Sequence, residues 1–289
     1  MNKKSLIMII LAGIFWGTSC LFVDAWSTYG PTPTQITAFR IVSSAICLWI
    51  YALIFDRKSF RLRANDLGLY MGSGLTLLST AALYYSAMKA SSVSTAVILM
   101  YMAPILVMGW SVLFFGEKFY IRKGVSVASM LVGCAFVSGI VGGMTFSVVG
   151  ILLGLATAVS YGAYNVLTKI EMRRGCNPIT TTLYGFLFAA IFALLINPVE
   201  PIVSIIVHNP TKVILLAFAH GIVTFVAPYF LYTLSMKKIP AGVASSLAII
   251  EPMSATIFSV AFLGEKLSVY GIVGIVMILG AVFALSKDE

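Results

Sequence analysis

The chain has 289 residues, of which 60% are hydrophobic and only 10% charged, and its mean hydropathy is +1.01. Soluble domains average about 45 to 50% apolar and roughly 25% charged residues, so this composition excludes an ordinary soluble protein. The formal net charge of +9 would suit a nucleic-acid-binding protein. The distribution of the basic residues along the chain, described below, argues against that class.

Apolar runs of roughly 17 to 24 residues alternate with charged clusters, and each run is long enough to cross a hydrocarbon core of about 30 Å as a helix. Their length and their lack of strict alternation exclude barrel strands. We therefore predict an all-α integral membrane protein with ten transmembrane helices. In chain order the predicted spans are 5–24, 35–55, 66–87, 93–115, 121–140, 147–168, 180–197, 212–235, 242–263 and 268–286.

The basic residues lie almost entirely on one side of these predicted spans. Counting loops alternately from the N-terminus, fifteen of the nineteen Lys and Arg residues fall on one side and three on the other, while Arg40 lies inside a span. This positive-inside pattern predicts a multi-pass protein of the plasma (inner) membrane with both termini in the cytoplasm. The net charge therefore reflects topology, and no nucleic-acid partner is expected.

The opening segment MNKKSLIMIILAGIFWG has the charged start and apolar run of a signal peptide, but no small-x-small cleavage site follows it. We interpret it as an uncleaved first helix. The four cysteines form no close pair, so we expect neither a disulfide framework nor a metal site. The expected partners are a small-molecule substrate and the lipid bilayer, in a monomer or homodimer without a bound cofactor.

An internal repeat divides the chain at about residue 142. Residues 84–118 match 232–266 with twelve identities in 35 ungapped positions, and a weaker match pairs Trp16 with Tyr161. We therefore predict two repeats, 1–142 and 143–289, each with five spans. Because five is odd, the second repeat enters the membrane in the opposite sense. Inverted repeats are a common design of secondary transporters, with the site near the midplane between them.

Several short motifs share the order and spacing of a known family. They are WG at 16–17, a proline at 104 followed by GEK at 116–118, EP at 251–252 and LGEK at 263–266. With the five-plus-five repeat, the whole chain resembles the EamA-type branch of the drug/metabolite transporter superfamily. The resemblance implies ten helices in two inverted bundles around a central cavity. It also implies transport, often export, of amino acids or related small metabolites.

Glu251 is the acidic residue that the repeat does not explain, because the first repeat has Ala103 at its place. It is the tenth residue of its predicted span and so lies near the midplane, where an acid costs on the order of 2.5 to 3.5 kcal/mol. We predict a proton site or a counterion for a substrate ammonium group. The alternative is a structural carboxylate bonded by hydroxyls such as that of Ser245. Pro252, matched by Pro104, should leave the carbonyl of Ala248 without its helical donor.

Two basic side chains lie inside predicted spans as well. His220 should reach nearly the depth of Glu251 on the preceding helix, so the two could face one another and share a proton. The alternative is a hydrogen-bonded packing histidine. Arg40 is a candidate for binding a substrate carboxylate, or it is an arginine that extends to the interface.

Aromatic side chains occur inside the predicted spans as well as at their ends, which suggests a cavity with apolar walls and hydroxyl groups. Among these and their neighbours the predicted substrate-binding residues are Trp16, Tyr84, Tyr101, Tyr161 and Asn165, in addition to Glu251, His220 and Arg40.

The pattern as a whole predicts a secondary transporter, most simply an exporter, of amino acids or amphipathic and cationic metabolites, with alternating access and possible proton coupling. A passive facilitator or channel-like pore of the same fold is the alternative. An intramembrane enzyme is disfavoured because the chain contains no HExxH, GxSxG or phosphate-loop pattern.

Overall fold

The computed structural model describes residues 3–117, 120–139, 147–196, 199–264 and 266–287, and within these ranges the regular secondary structure is entirely helical. Each of the two GEK motifs therefore lacks one residue here, since Lys118 of the first and Glu265 of the second lie outside the described residues.

The long helices, labelled in chain order, follow one another with short connections. Their bounds are α1 Lys3–Ser27, α2 Pro33–Phe55, α3 Leu67–Ala90, α4 Val93–Met100 continued as Ala103–Phe115, α5 Ile121–Val137, α6 Val148–Arg173, α7 Pro178–Ile196, α8 Pro210–Ser235, α9 Ala241–Leu247 continued as Ile250–Phe262, and α10 Val269–Lys287. A short helix, Val199–His208, connects α7 to α8, and two 3-10 turns, Arg57–Phe60 and Ala64–Asp66, precede α3.

Helical structure occupies each predicted span, and seven segments are long and apolar enough to cross a membrane. Those seven lie in α1, α2, α4, α6, α7, α8 and α9. The protein is therefore a multi-pass membrane protein by length and composition. Helix α6 continues five residues past its predicted end, to Arg173, and the short helix Val199–His208 was predicted as a loop.

Prolines interrupt three of the long helices. Helix α4 breaks at Tyr101 and Met102, just before Pro104, and α9 breaks at Ala248 and Ile249, just before Pro252. Helix α8 contains a π turn, Ile222–Val226, ahead of Pro228. The carbonyl of Ala248 is not left without a donor, contrary to the sequence expectation, because the Glu251 amide donates to it at 2.9 Å in 3-10 fashion. The proline thus tightens the helix at this point.

The helices of the two halves contact each other in equivalent pairs. Helix α3 packs on α6 and α7, and its repeat partner α8 packs on α1 and α2. In the same way α4 packs on α6, and α9 packs on α1. Three further pairs, α2 with α7, α4 with α9 and α5 with α10, join repeat partners to each other. Every one of these contacts is unchanged when the halves are exchanged.

Equivalent glycines allow the closest of these crossings. A Cβ added at Gly74 of α3 would lie 2.7 Å from the carbonyl oxygen of Gly185 in α7. A Cβ added at Gly221 of α8 would lie 2.5 Å from the Ser43 hydroxyl of α2. Gly74 and Gly221 thus occupy equivalent crossings. Because Ser73 precedes Gly74 and His220 precedes Gly221, Ser73 is the counterpart of His220.

We expect Gly74→Ala to destabilise the protein by about 1 to 3 kcal/mol, because the added methyl group meets backbone atoms that cannot rotate away. Gly109→Ala in α4 is the matched control, since a Cβ there has no neighbour within 4 Å. Thermal unfolding in detergent measures both variants. Equal melting temperatures for the two would contradict the close α3–α7 packing.

Candidate functional site

Glu251 lies where the breaks in α4 and α9 meet. It stands in the first turn of the second segment of α9, where the positive end of a helix dipole favours an acid. The hydroxyl of Tyr101, from the break in α4, donates to its Oε2 at 2.9 Å. Glu251 stays partly accessible although Ile249 and Ile250 beside it are buried. Ser245, the hydroxyl predicted as an alternative partner, donates instead to the carbonyl of Gly242.

An aromatic cluster centred on Tyr229 of α8 joins four helices close to this carboxylate. Its ring packs edge-on against Trp16 of α1 with centroids 5.1 Å apart, and against Tyr164 of α6 at 5.5 Å. Phe225 and Phe186 complete the cluster at 4.6 and 5.6 Å from Tyr229. Tyr229 is also within electrostatic range of Glu251, so the cluster forms an apolar wall beside an acid.

Arg40 contributes a positive charge to the same region. Its guanidinium carbon lies 4.7 Å from the centroid of the Phe225 ring, a cation–π contact. The Nε atom is buried without a hydrogen-bond partner. Arg40 is within electrostatic range of both Tyr229 and Glu251. The structure therefore brings Arg40 and Trp16 to one aromatic cluster, with Glu251 within electrostatic range of its Tyr229 ring.

His220 is buried on the side of α8 that faces α1. The indole nitrogen of Trp26 donates to its Nδ1 at 3.1 Å, and Phe22 stacks on the ring with centroids 4.9 Å apart. Because an indole N–H can only donate, Nδ1 accepts and the ring is neutral with its proton on Nε2. Among the described residues no hydrogen bond joins His220 to Glu251. A second proton on Nδ1 would break the bond to Trp26.

Asn165 connects two of the other predicted residues. It is fully buried, its Nδ2 donates to the carbonyl of Tyr161 at 2.7 Å, and the Tyr232 hydroxyl donates to its Oδ1. The Tyr232 ring in turn packs on Trp16 with centroids 5.4 Å apart. Trp16 and Tyr161 are therefore joined through α8, and Asn165 does share a face with Tyr161.

Tyr84 and Tyr161 lie farther from the aromatic cluster but within electrostatic range of Glu251. Tyr84 packs against Tyr85 at 5.9 Å, and Tyr161 packs against Ala103 and Ala158 at the α4 break. The roles assigned to the eight predicted residues in substrate binding stay predictions.

Glu117 of the first GEK motif bonds to the first residue of α9. Glu117 Oε1 accepts a hydrogen bond from the amide of Ala241, the first residue of α9, at 3.3 Å. A carboxylate at this position satisfies an amide that has no partner within the helix. Glu117 thereby holds the end of α4 to the beginning of its repeat partner.

Two cavities lie outside this region. One, of about 570 Å³, is an apolar crevice between α2, α8 and the short helix, lined by side chains such as Val42, Ile206 and Phe218. The other, of about 320 Å³, lies at the start of α9 beside Glu117 and Lys123. Neither is lined by Glu251 or Arg40. The crevice between α2 and α8 is lined mostly by apolar side chains, which fits a surface that faces lipid.

Sequence reasoning missed four members of the cluster as site residues, Tyr164, Tyr229, Phe225 and Phe186. Two of them carried a signal, because Phe225, Tyr229 and Tyr232 recur at helical spacing and so lie on one face of α8. Phe186 lies in a continuous apolar run without such a pattern. Among the described residues no group of three or more His, Cys, Asp or Glu side chains gathers to hold a metal.

We expect Trp26→Phe to destabilise the protein by about 1 to 3 kcal/mol more than Trp49→Phe, because it leaves the buried Nδ1 of His220 without a donor. Trp49 is a suitable control because its own buried indole nitrogen has no hydrogen-bond partner. Unfolding of both variants in detergent measures the difference. A Trp26→Phe protein no less stable than the control would show that the Trp26–His220 bond contributes nothing.

Comparison with known proteins agrees with this architecture. A crystal structure aligns with 99% of this chain and 98% of its own at a TM-score of 0.81 and 19% identity, which shows a shared fold. An "Uncharacterized transporter" of Archaeoglobus fulgidus is 27% identical over 280 residues, covering 97% of this chain and 95% of the relative. The "Uncharacterized inner membrane transporter YicL" of Salmonella typhimurium is 20% identical over 296 residues, covering 100% and 97%.

The "Uncharacterized transporter YwfM" of Bacillus subtilis is 24% identical over 285 residues, covering 97% of this chain and 93% of the relative. The sequence model of the EamA-like transporter family matches residues 3–139 and again 148–287, which together span nearly the whole chain. These relatives are transporters, so the activity is transport and not catalysis. The protein belongs to the EamA-like transporter family.

Proposed function

We propose that this membrane transporter is a secondary transporter that moves small amino metabolites, such as amino acids or amphipathic cations, out of the cell by alternating access. The observation that carries the proposal is that one positive and one negative side chain lie within electrostatic range of the same aromatic cluster. Arg40 stands over Phe225, and Glu251 lies within electrostatic range of the adjacent Tyr229. A carboxylate can bind to the arginine while an ammonium group binds to the acid.

The binding energy for each end of such a solute has a physical source. The buried Nε of Arg40 has no partner, so a carboxylate would supply the missing acceptor. Glu251 is partly accessible, and among the described residues its carboxylate accepts a hydrogen bond from the Tyr101 hydroxyl alone, so it has room for an ammonium donor. The rings of Trp16 and Tyr229 would pack against an apolar side chain.

We further propose ten membrane crossings arranged as inverted repeats, 1–142 and 143–289, in the plasma membrane with both termini in the cytoplasm. The equivalent contacts of the two halves support this arrangement, as do the two separate matches of the family sequence model. Broken helices that meet deep in the protein are a common feature of transporter sites, and the α4 and α9 breaks meet at Glu251.

The proposal predicts a preference for solutes that carry both charges. In proteoliposomes we expect phenylalanine to exchange faster than phenethylamine, which lacks the carboxylate, and faster than phenylpropionate, which lacks the amine. Glu251→Gln should reduce exchange of phenylalanine and phenethylamine by at least about tenfold, since a hydrogen bond to a charged group is worth roughly 1.5 to 3 kcal/mol. Arg40→Gln should instead reduce exchange of phenylalanine and phenylpropionate.

Asp24→Asn removes an exposed carboxylate of α1 and serves as the charge control. Equal loss of all three solutes in both site variants would indicate damage to the protein rather than loss of a charge contact. Trans-acceleration separates the proposed carrier from a passive pore, because only a carrier moves labelled solute faster when unlabelled solute is present on the opposite side. Wild-type rates in both Glu251→Gln and Arg40→Gln would refute the assigned site.

A further inference from the structure

A second buried carboxylate, Glu171, lies in the last turn of α6, away from the aromatic cluster. Its side chain is completely buried, with 0% of the residue exposed. The hydroxyl of Ser73 in α3 donates to its Oε1 at 2.9 Å, and its buried Oε2 has no hydrogen-bond partner among the residues that the structure describes. An ionised carboxylate in this position would hold an oxygen that is neither solvated nor bonded, which is costly.

The basic side chains next to Glu171 in the sequence are directed to other groups. Lys169 donates to the carbonyls of Met236 and Ile239, beyond the end of α8, at 2.9 and 2.6 Å. Arg173 donates to the carbonyl of Phe115 and lies over its ring.

Arg174 forms an ion pair with Asp66 at 3.1 Å. With the neighbouring lysine and arginines engaged in these contacts, a negative charge on Glu171 would have little compensation, so the neutral acid is the favoured form.

The titratable groups around Glu171 add no positive charge. Tyr70 of α3, Asp66 of the turn before it, and Cys176 of the connection to α7 are within electrostatic range. On α6 itself Tyr164 is also in range, and it packs on Tyr229 of α8. The carboxylate of Asp66 would repel an ionised Glu171.

The segment before α3 covers this end of the protein. The hydroxyl of Thr180 donates to the carbonyl of Ser59 at 3.0 Å, and that of Tyr184 donates to the carbonyl of Phe60 at 2.9 Å. The Cys176 thiol lies 3.6 Å from Asp66 Oδ2, and burial raises the pKa of this thiol. These contacts hold the segment before α3 against α7 at the end of the protein where Glu171 is buried.

The Ser73–Glu171 bond has a counterpart at the equivalent position of the other half. Ser73 precedes Gly74 and His220 precedes Gly221, and the two glycines occupy equivalent crossings. Glu171 lies ten residues after Tyr161, and Trp26 lies ten residues after Trp16, which the repeat pairs with Tyr161. The bond between Ser73 and Glu171 thus corresponds to the bond between His220 and Trp26. Both join one repeat to the other, but only the first contains a carboxyl group.

We propose that Glu171 is a reversible proton-binding site whose protonated form holds α3 and α6 together and keeps this end of the transporter closed. The proton moves between water and Oε2, while Oε1 continues to accept from Ser73, so no bond other than O–H forms or breaks. Loss of the proton favours entry of water and separation of the two helices. The proposal rests on the alternating access proposed above, and it makes access from this end depend on pH.

Infrared spectroscopy of the full-length protein in lipid nanodiscs tests proton binding without any substrate. We expect the carbonyl band of a protonated carboxylic acid at neutral pH, and its loss as the pH is raised. The band should be absent in Glu171→Gln and present in Glu251→Gln. Ser73→Ala should shift it to higher frequency, because the carbonyl loses a hydrogen bond. The same band and the same titration in Glu171→Gln would overturn the proposal.

Cys176 reports whether this end opens. The test uses a variant in which Cys20, Cys47 and Cys134 are replaced by alanine. At high pH we expect a maleimide to label Cys176 in this variant at least about tenfold faster than in the same variant with Glu171→Gln. A tenfold ratio corresponds to roughly the energy of one hydrogen bond to a charged group. Removing the Glu171 charge lowers the pKa of the Cys176 thiol and so favours labelling of the Glu171→Gln protein, so faster labelling of the parent variant reports opening and not thiol ionisation. A ratio of one at every pH would overturn the closing role.

The two proposals fail separately. An intact infrared band and labelling ratio with no exchange of phenylalanine would overturn the proposed substrate site alone. Normal exchange with an unchanged band in Glu171→Gln would overturn only the proton site.

Discussion

The constraint on which this structure depends is that backbone groups inside a bilayer must find partners within the protein. A proline has no amide hydrogen, so a helix can break there only where another group donates to the carbonyl left without a donor. In α9 the amide of Glu251 donates to the carbonyl of Ala248. The break in α4 instead places the buried Tyr101 beside α9, where its hydroxyl donates to Glu251. The two breaks meet at this hydrogen bond, which gives the partly accessible acid a partner and places a polar pair between α4 and α9.

The same constraint explains why the sequence predicted the helices well and their mutual contacts poorly. Length and hydropathy locate a helix, because any apolar run of that length must be helical. They do not fix its rotation about its axis. The sequence predicts similar depths in the membrane for His220 and Glu251. In the structure, however, His220 lies against Trp26 and Phe22 of α1. Glu171 was overlooked because the predicted span ended three residues earlier, where the hydropathy fell.

The repeat supplies the scaffold, and departures from it mark the chemistry. Crossings that need close approach are conserved between halves, as Gly74 and Gly221 show. The ionisable groups of the interior are not: Glu251 corresponds to Ala103, and Arg40 to Gly185. A charge present in one half alone changes the electrostatics of the interior without altering the helix contacts that the two halves share.

Side chains that differ between the two halves would also affect the balance between two states of the transporter. If exchanging the halves converts one state into the other, symmetric contacts have equal energy in both and cannot favour either. Only pairs that differ between the halves can set the balance. The bond between Trp26 and His220 joins two neutral rings, whereas its counterpart joins Ser73 to a carboxyl group. Under the proton site proposed for Glu171, the difference in energy between the states depends on the charge of that residue, and a proton is the smallest ligand that can change it.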